Sequence, residues 1–432
     1  MLNSLLFKEI ANAYINTIDQ QRKISPGDVL ARYPVEMREG WIAYIGFQMQ
    51  TLRVAGNGEG DSGILVAKAQ VLQWLTEAMQ NSNMPEAATY AEGFLTWVAR
   101  RSGLLLPRGE DWYAFAHLSF QEYFCARFLM AQVTSPAFIR GAKGKNLVVS
   151  KGELAQYSEY ELWRETLIYL LELVCNERGV DWLQEVLDVV FGALQEDKDF
   201  SIAQARLAGK VLNDQHIYLD ADYKRDLARQ AASTVVSDAF DDLCQAGFAI
   251  AIDGAAAQAT VAASFTLPAN TQVENVFAMK LEKIHLKDLA ALTSLPQLRG
   301  LKISNCHIAD LNALRGLAQV RYLNLFQTTI PTLDVIANMQ QLKFLVLASF
   351  DGHDITPLCQ LKNLETLVFP TFEGTDLTPL AALASLRGLG LFELQRADGV
   401  RLQKLRPDLK IQYHELPKKQ KKPSHRPTHP VQ

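Results

Sequence analysis

The stretch Leu298-Arg299-Gly300-Leu301-Lys302-Ile303 carries the pattern Leu-x-x-Leu-x-Leu, where x is any residue. The pattern returns every 22 residues without a shift in spacing. Its six copies place large apolar side chains at Val276, Met279 and Leu281; Leu298, Leu301 and Ile303; Val320, Leu323 and Leu325; Leu342, Leu345 and Leu347; Leu364, Leu367 and Phe369; and Leu386, Leu389 and Leu391. A single unit of this kind cannot bury its own leucines, so the repetition predicts stacked rungs with a continuous core and a parallel strand in each rung.

The second half of each repeat predicts a short capped helical segment. Residues that favour helix N-caps precede its apolar positions, at Asp288, Asp310, Thr332, Asp354 and Asp376. Pro357 and Pro379 fall in the first turn, where a missing N–H costs little. The whole pattern resembles the leucine-rich repeat family, in its short bacterial-type class of 22 residues. We therefore expect an α/β solenoid over residues 271–414, with Arg401 to Ile411 as a degenerate closing cap.

The positions between the strand leucines point away from the core and predict a binding surface for a protein partner. These residues are Tyr322, Asn324, Phe326, Phe344, Val346, Thr366, Val368 and Phe392. The alternative is that other parts of the same chain cover them. His285, His307 and His353 do not share one repeat offset, so we interpret them as surface or turn residues and predict no metal site.

Composition limits the class of protein and its compartment. The chain has 432 residues, a net charge of −4 and five cysteines, none of them in a Cys-x-x-Cys pair. These features predict a reducing, cytoplasmic location without a disulfide framework. The sequence shows no charged-then-apolar leader and no apolar run long enough for a membrane span, and the charge gives no general attraction to nucleic acid. Residues 415–432 predict a disordered basic tail, or alternatively an arm for nucleic acid or an acidic partner.

A second informative stretch lies between Arg101 and Phe124. Two apolar runs flank the turn at 107–111, which predicts a β-hairpin. Ser119 and Glu122 then have the spacing of a capping box before an apolar helix from Phe120 to about Gln132. His117 would lie at the start of that helix, where N–H groups attract anions; a histidine that only packs there is the alternative.

The string Phe115-Ala-His-Leu-Ser-Phe-Gln-Glu-Tyr-Phe124, with Ser102 to Leu105 upstream, resembles the winged-helix segment of NACHT-type STAND ATPases. That family includes animal NLR receptors and bacterial anti-phage proteins. The resemblance implies that the hairpin is the wing and that His117 contacts the β-phosphate of ADP in the closed, inactive state. It also implies a helical linker at residues 1–35, a winged-helix domain at 36–135 and a helical domain at 136–270. The expected fold class is thus an α+β multidomain protein that ends in the repeats.

The chain departs from that family in one respect. It has no Gly-x₄-Gly-Lys-Ser/Thr loop, and the Gly141 to Lys145 stretch has the wrong spacing. No Gly-x-Ser-x-Gly, HExxH or clustered metal ligands are present. We therefore expect no enzyme in this chain, and ADP or ATP with Mg²⁺ only together with an ATPase core, in trans or in a missing N-terminal part.

The sequence supports two hypotheses about function. The first is the regulatory and sensor portion of a NACHT leucine-rich repeat defence protein that recognises a protein trigger. The alternative is a non-enzymatic adaptor for protein–protein interaction. DNA binding by the winged helix is disfavoured, because the turn at 107–111 carries more acid than base.

Overall fold

A computed structural model describes most of the chain. It covers residues 4–17, 35–139, 148–194, 199–234, 237–254, 266–328, 330, 332–347, 354–369 and 376–414. The chain divides into two compact units, one with residues 1–231 and 236–246 and the other with residues 232–235 and 247–432. The expected basic tail lies outside the described residues, as do His353 and the Gly141 to Lys145 stretch.

The first unit consists mainly of helices. They are α1 (Ser4–Asn12), α2 (Val35–Ala55), α3 (Lys68–Asn81), α4 (Ala87–Trp97), α5 (Leu118–Val133), α6 (Pro136–Ile139), α7 (Lys151–Tyr157), α8 (Arg164–Arg178), α9 (Val180–Val190), α10 (Ile202–Asn213), α11 (Ala221–Ala231) and α12 (Ser237–Gln245). A three-stranded antiparallel sheet is built from β1 (Val66–Ala67), β2 (Leu105–Pro107) and β3 (Trp112–Phe115), in the order β1-β3-β2. The hairpin predicted from the two apolar runs is therefore confirmed.

Helices α2 and α5 pack against each other in the centre of the winged-helix part. On α2, every residue from Trp41 to Gln50 except Tyr44 and Gln48 is buried, so neighbouring elements enclose this part of the helix on nearly all sides. The two helices approach closely at Gly46, where an added Cβ would lie 3.0 Å from the backbone of α5. A larger residue at this position would separate the two helices.

Helix α1 packs on the same unit through one aromatic residue. The ring of Phe7 contacts those of Phe120, Tyr123 and Tyr169, with centroids 5.2, 5.8 and 5.5 Å away. The backbone N–H of Ser4 donates to the buried carboxyl of Glu172 at the start of α1. Both contacts fix the first described segment against α5 and α8. Residues 18–34 of the expected linker lie outside the description.

The helical part after the winged helix is organised around α8. Every residue from Thr166 to Cys175 is buried, so this helix is enclosed by its neighbours on all sides. Two neighbouring helices begin with complete capping boxes, formed by Ser150 with Glu153 and by Ser201 with Gln204. The predicted domain boundary at residues 135 and 136 falls within the first compact unit and remains a prediction.

The second unit contains an eight-stranded parallel sheet. Its strands are β4 (Ala249–Asp253), β5 (Ala278–Glu282), β7 (Gly300–Ser304), β9 (Tyr322–Phe326), β10 (Phe344–Leu347), β11 (Thr366–Val368), β12 (Gly388–Phe392) and β13 (Lys410–His414), each beside the next. Strands β6 (His285–Asp288) and β8 (His307–Asp310) form a separate parallel pair. The sheet already begins at Ala249, upstream of the expected start at residue 271.

The register of the sheet follows the 22-residue step. Leu301 pairs with Leu323, Leu323 with Leu345 and Leu345 with Leu367, and all four side chains are fully buried. The predicted stack of leucines on adjacent parallel rungs is confirmed. Helix α13 (Arg396–Leu405) and strand β13 come after the last complete repeat. Leu402 of this helix and Leu409, the residue before β13, belong to the same core.

The predicted capped segments are 3₁₀ helices, at Ala290–Ser294, Asn312–Gly316, Leu333–Val335, Thr356–Gln360 and Thr378–Ala382. In four of them the Oδ1 atom of the preceding aspartate accepts the N–H two residues later, at 2.8–3.0 Å. Thr332 does the same through its hydroxyl at 3.3 Å. Each segment is three to five residues long, which makes about one turn of 3₁₀ helix.

None of the helices in the described part of the chain is both long enough and apolar enough to cross a membrane.

Candidate functional site

The wing and the helix after it position His117. Strands β2 and β3 pair from Leu105 with Phe115 to Pro107 with Tyr113, and Gly109 takes a left-handed φ of +74° in the turn. Ala116 N–H then donates to the carbonyl of Leu104, which ends the hairpin. His117 comes next in an extended conformation, with φ −145° and ψ 146°, and α5 begins at the residue after it.

His117 is the N-cap of α5. Its Nδ1 atom accepts the backbone N–H of Ser119 at 3.2 Å and lies 3.1 Å from the Ser119 hydroxyl. An N–H group can only donate, so Nδ1 must be the unprotonated nitrogen and the ring proton of neutral His117 is on Nε2. The side chain is exposed. The arrangement presents one N–H donor at a helix N-terminus, where the backbone also favours negative charge.

The capping box predicted from Ser119 and Glu122 is wrong. The helix begins two residues earlier than that box requires, because extended His117 already supplies the acceptor for the first turn. Glu122 instead accepts from Arg53 Nη1 at 3.1 Å, and both side chains are largely buried. Burial outweighs this ion pair and raises the pKa of the Glu122 carboxyl to about 7.

A cavity of about 330 Å³ lies between α2, α3 and α5. Trp41, Tyr44 and Phe128 contribute aromatic walls, and Asn81 and Gln132 contribute polar atoms. None of the residues lining it is charged, so its lining has no arginine or lysine to pair with a phosphate group.

The predicted partner-binding residues lie together on the face of the sheet opposite the leucine core. In one row Tyr322 pairs with Phe344 and Phe344 with Thr366; in the next, Asn324 pairs with Val346 and Val346 with Val368. We call these six residues, together with Phe326 and Phe392, the outer strip. Its members come from four adjacent strands, which the 22-residue step brings into line.

The outer strip is covered partly by its own side chains. The rings of Tyr322 and Phe344 stack with centroids 4.8 Å apart and planes 8° apart, and Tyr322 is 7% exposed. Asn324 Nδ2 donates to the Tyr322 hydroxyl at 3.3 Å. Burial raises the pKa of Tyr322. Phe326 is 41% exposed, so it offers more surface to a partner than Tyr322 does.

Sequence reasoning missed several neighbours of the outer strip. Lys280 pairs with Lys302 and Lys302 with Asn324, so two lysines extend one row of the strip. At the other end, Val368 pairs with Gly390, and Gly390 with Gln412. The signal was present in the sequence, since each of these positions is a whole number of 22-residue steps from Asn324.

The histidines of the repeats also need a correction. His285 and His307 are 22 residues apart and pair directly across β6 and β8. Their ring centroids are 5.8 Å apart, with 40° between the ring planes. The three histidines do not share one offset, but these two do.

Comparison with known protein families identifies the first part of this fold. Residues 47–129 match the family model described as the winged helix-turn-helix domain C-terminal to NACHT. No curated protein matches the chain.

Solved structures similar to this chain include two internalins from Listeria monocytogenes. Internalin InlF has 20% sequence identity and a TM-score of 0.28, over 40% of this chain and 56% of its own. Internalin C2 has 17% identity and the same TM-score, over 44% of this chain and 91% of its own.

The wing and most of the capped helix α5 lie within residues 47–129, which match the family model, and the in-register leucines define the repeats of the second unit. This chain therefore contains a winged helix-turn-helix domain of the kind that lies C-terminal to NACHT, then a helical region and leucine-rich repeats.

Proposed function

We propose that this chain is the regulatory and sensor portion of a NACHT leucine-rich repeat defence protein of the STAND class, acting in the cytoplasm. The observation that carries the proposal is that one chain contains both the NACHT-associated winged helix and a repeat sheet with an outer strip. The repeats bind a protein trigger, and the winged helix controls an ATPase core that these residues do not form.

The winged helix acts through His117. Its Nε2–H donor and the N-terminus of α5 suit a phosphate oxygen, and the family resemblance assigns this histidine to the β-phosphate of ADP. The nucleotide, bound with Mg²⁺ by a P-loop core, supplies the charge that distinguishes the closed from the open state. His117 stabilises the closed state because it donates a hydrogen bond to ADP, the nucleotide bound in that state.

The repeats act through the outer strip. A trigger shifts the protein towards the open state only if it binds that state more tightly than the closed one. The exposed ring of Phe326 and the partly buried Val346 and Val368 of the same strip supply apolar contacts of the kind that a protein partner uses.

The nucleotide role is tested by joining the chain to a P-loop ATPase core and measuring the ADP that remains bound after purification. His117→Asn is the informative variant, because asparagine is a strong N-cap but lacks the Nε2–H donor. We expect an intact α5 and a lower ADP content. Unchanged ADP content with a folded protein would remove His117 from the mechanism.

The sensor role is tested by placing a photo-crosslinking residue at Phe326 on the outer strip. Arg315, exposed in a 3₁₀ segment of the repeats, is the matched control position. We expect a trigger-dependent crosslink from position 326 and none from position 315. Equal crosslinking from both positions would contradict a specific strip. Failure of the chain to bind any P-loop core would favour the adaptor hypothesis instead.

A further inference from the structure

Two exposed histidines lie next to each other on adjacent rungs of the repeats. Strands β6 and β8 pair in parallel, with His285 opposite His307 and Leu286 opposite Ile308. Leu286 and Ile308 are buried in the leucine core, so the alternating positions 285 and 307 face outwards. The two imidazoles therefore share one exposed surface.

The backbone beneath the pair is held by repeated turns. Lys283 and Asn305 both have a left-handed φ, of +54° and +53°. The N–H of Lys283 donates to Ser304 O at 3.0 Å, and that of Asn305 donates to Phe326 O at 2.9 Å. His307 N–H donates to Ile284 O at 3.0 Å. Identical turns on adjacent rungs give the two histidines equivalent positions, so the distance between their Cα atoms is fixed by the fold.

The spacing of the rings suits one shared metal ion. A metal bound to imidazole nitrogen at about 2.1 Å lies roughly 3.2 Å from the ring centre, so two such rings at a tetrahedral angle have centres about 5.2 Å apart. The observed 5.8 Å differs from this by a few tenths of an ångström. Both side chains are exposed, so rotation about their χ angles can change this separation without moving the backbone.

We propose that His285 and His307 form a binding site for a divalent first-row transition metal ion, with water completing its coordination. Imidazole is a ligand for Zn²⁺, Ni²⁺ and Cu²⁺, and the usual order of stability makes Cu²⁺ the tightest of the three. No group of three or more protein ligands for a metal occurs among the described residues, so within that part of the chain the two imidazoles are the ligands of the proposed site.

Charged residues near the two histidines affect how tightly the pair binds a metal ion. Asp288 and Asp310 are occupied as caps, accepting the N–H groups of Ala290 and Asn312. Lys287 is exposed and lies two residues after His285 in β6, so its side chain is on the same outward face. Its positive charge opposes a bound cation, so Lys287→Ala should tighten metal binding.

The test is calorimetric titration of the full-length, tag-free chain with CuCl₂ and with ZnCl₂. His353, His425 and His429, which lie outside the described residues, are first replaced by alanine. His285→Ala, His307→Ala and the double variant are compared with His414→Ala, which removes an exposed histidine that pairs with Phe392 rather than with another histidine.

One ion per pair is expected. Each single variant should lose most of the affinity, the double variant should lose little more, and His414→Ala should bind as the parent does. Electron paramagnetic resonance of the copper complex should show two nitrogen donors in the parent and one in each single variant. Unchanged affinity in the single variants, or losses that simply add in the double variant, would overturn the shared site.

Discussion

Replacing Leu345 by alanine tests the stacking of the rungs directly. Leu345 is 0% exposed and pairs with Leu323 on one side and Leu367 on the other. Three carbon atoms are lost, which at about 0.8 kcal/mol each gives about 2.4 kcal/mol in transfer free energy. The cavity left between two fixed neighbours adds to this, so we expect the free energy of unfolding of the repeats to fall by about 2.7–5 kcal/mol.

Hydrogen exchange measured by mass spectrometry is the suitable assay. All six tryptophans lie in the first compact unit, at Trp41, Trp74, Trp97, Trp112, Trp163 and Trp182, so their fluorescence does not report on the rungs. Peptides from β9, β10 and β11 should lose about two to four orders of magnitude in amide protection, since each 1.4 kcal/mol is a factor of ten. The effect should fall off towards β4 and β13, because a rung contacts only its neighbours.

Val346→Ala is the matched control for that experiment. It lies on the same strand, points to the outer strip and is partly exposed, so its truncation leaves no enclosed cavity. We expect its effect on protection to be much smaller. Equal loss of protection in the two variants would refute the assignment of Leu345 to the core of the stack.

Three further predictions concern charge, close packing and capping. Because the pKa of Glu122 is raised to about 7 from an ordinary 4.5, the folded state holds this proton more tightly than the unfolded state. As the pH rises from about 4.5 to 7, the free energy of unfolding of the first unit should therefore decrease. Tryptophan fluorescence in urea measures this free energy, and Glu122→Gln should make its pH dependence shallower. Gly390→Ala should lower the free energy of unfolding of the repeats by about 1–3 kcal/mol, because the added Cβ would lie 3.2 Å from both methyl groups of Val368. Gly388→Ala, whose nearest contact would be 3.5 Å away, should leave the denaturation midpoint nearly unchanged. Asp354→Ala should lower amide protection in the 3₁₀ segment at Thr356–Gln360. The hydrogen bond to Thr356 holds the pKa of Asp354 below its usual range, so in the parent this contribution should be lost as pH falls through that lowered pKa.

The repeat sheet could be predicted from the sequence because one spacing recurs without error. A fixed step of 22 residues determines which side chains pair, as Leu323 with Leu345, and which ones point outwards, as Val346. The same step of 22 residues predicts that His285 pairs with His307. His353 does not follow this step, so the spacing is not visible when the three histidines are considered together.

The winged-helix part was harder to predict in detail. The hairpin and the helix were visible as apolar runs, but either His117 or Ser119 could cap the helix, and local sequence does not decide which residue is extended. Glu122 matched a local capping pattern, yet its partner Arg53 is 69 residues away. Contacts of this kind depend on the packing of α2 against α5, which no short-range spacing encodes.

The repeated left-handed turn at Lys283, Asn305 and Gln327, with φ between +49° and +54°, has a consequence for how such genes can change. Duplicating or deleting a whole unit of 22 codons would join one turn to an identical one, and the core positions of the remaining rungs would still pair in register. An insertion of one codon within a strand would instead exchange core and surface residues from that point to the end of the strand. Recombination in whole units can thus lengthen or shorten the outward face of the sheet while the hydrophobic interior stays intact.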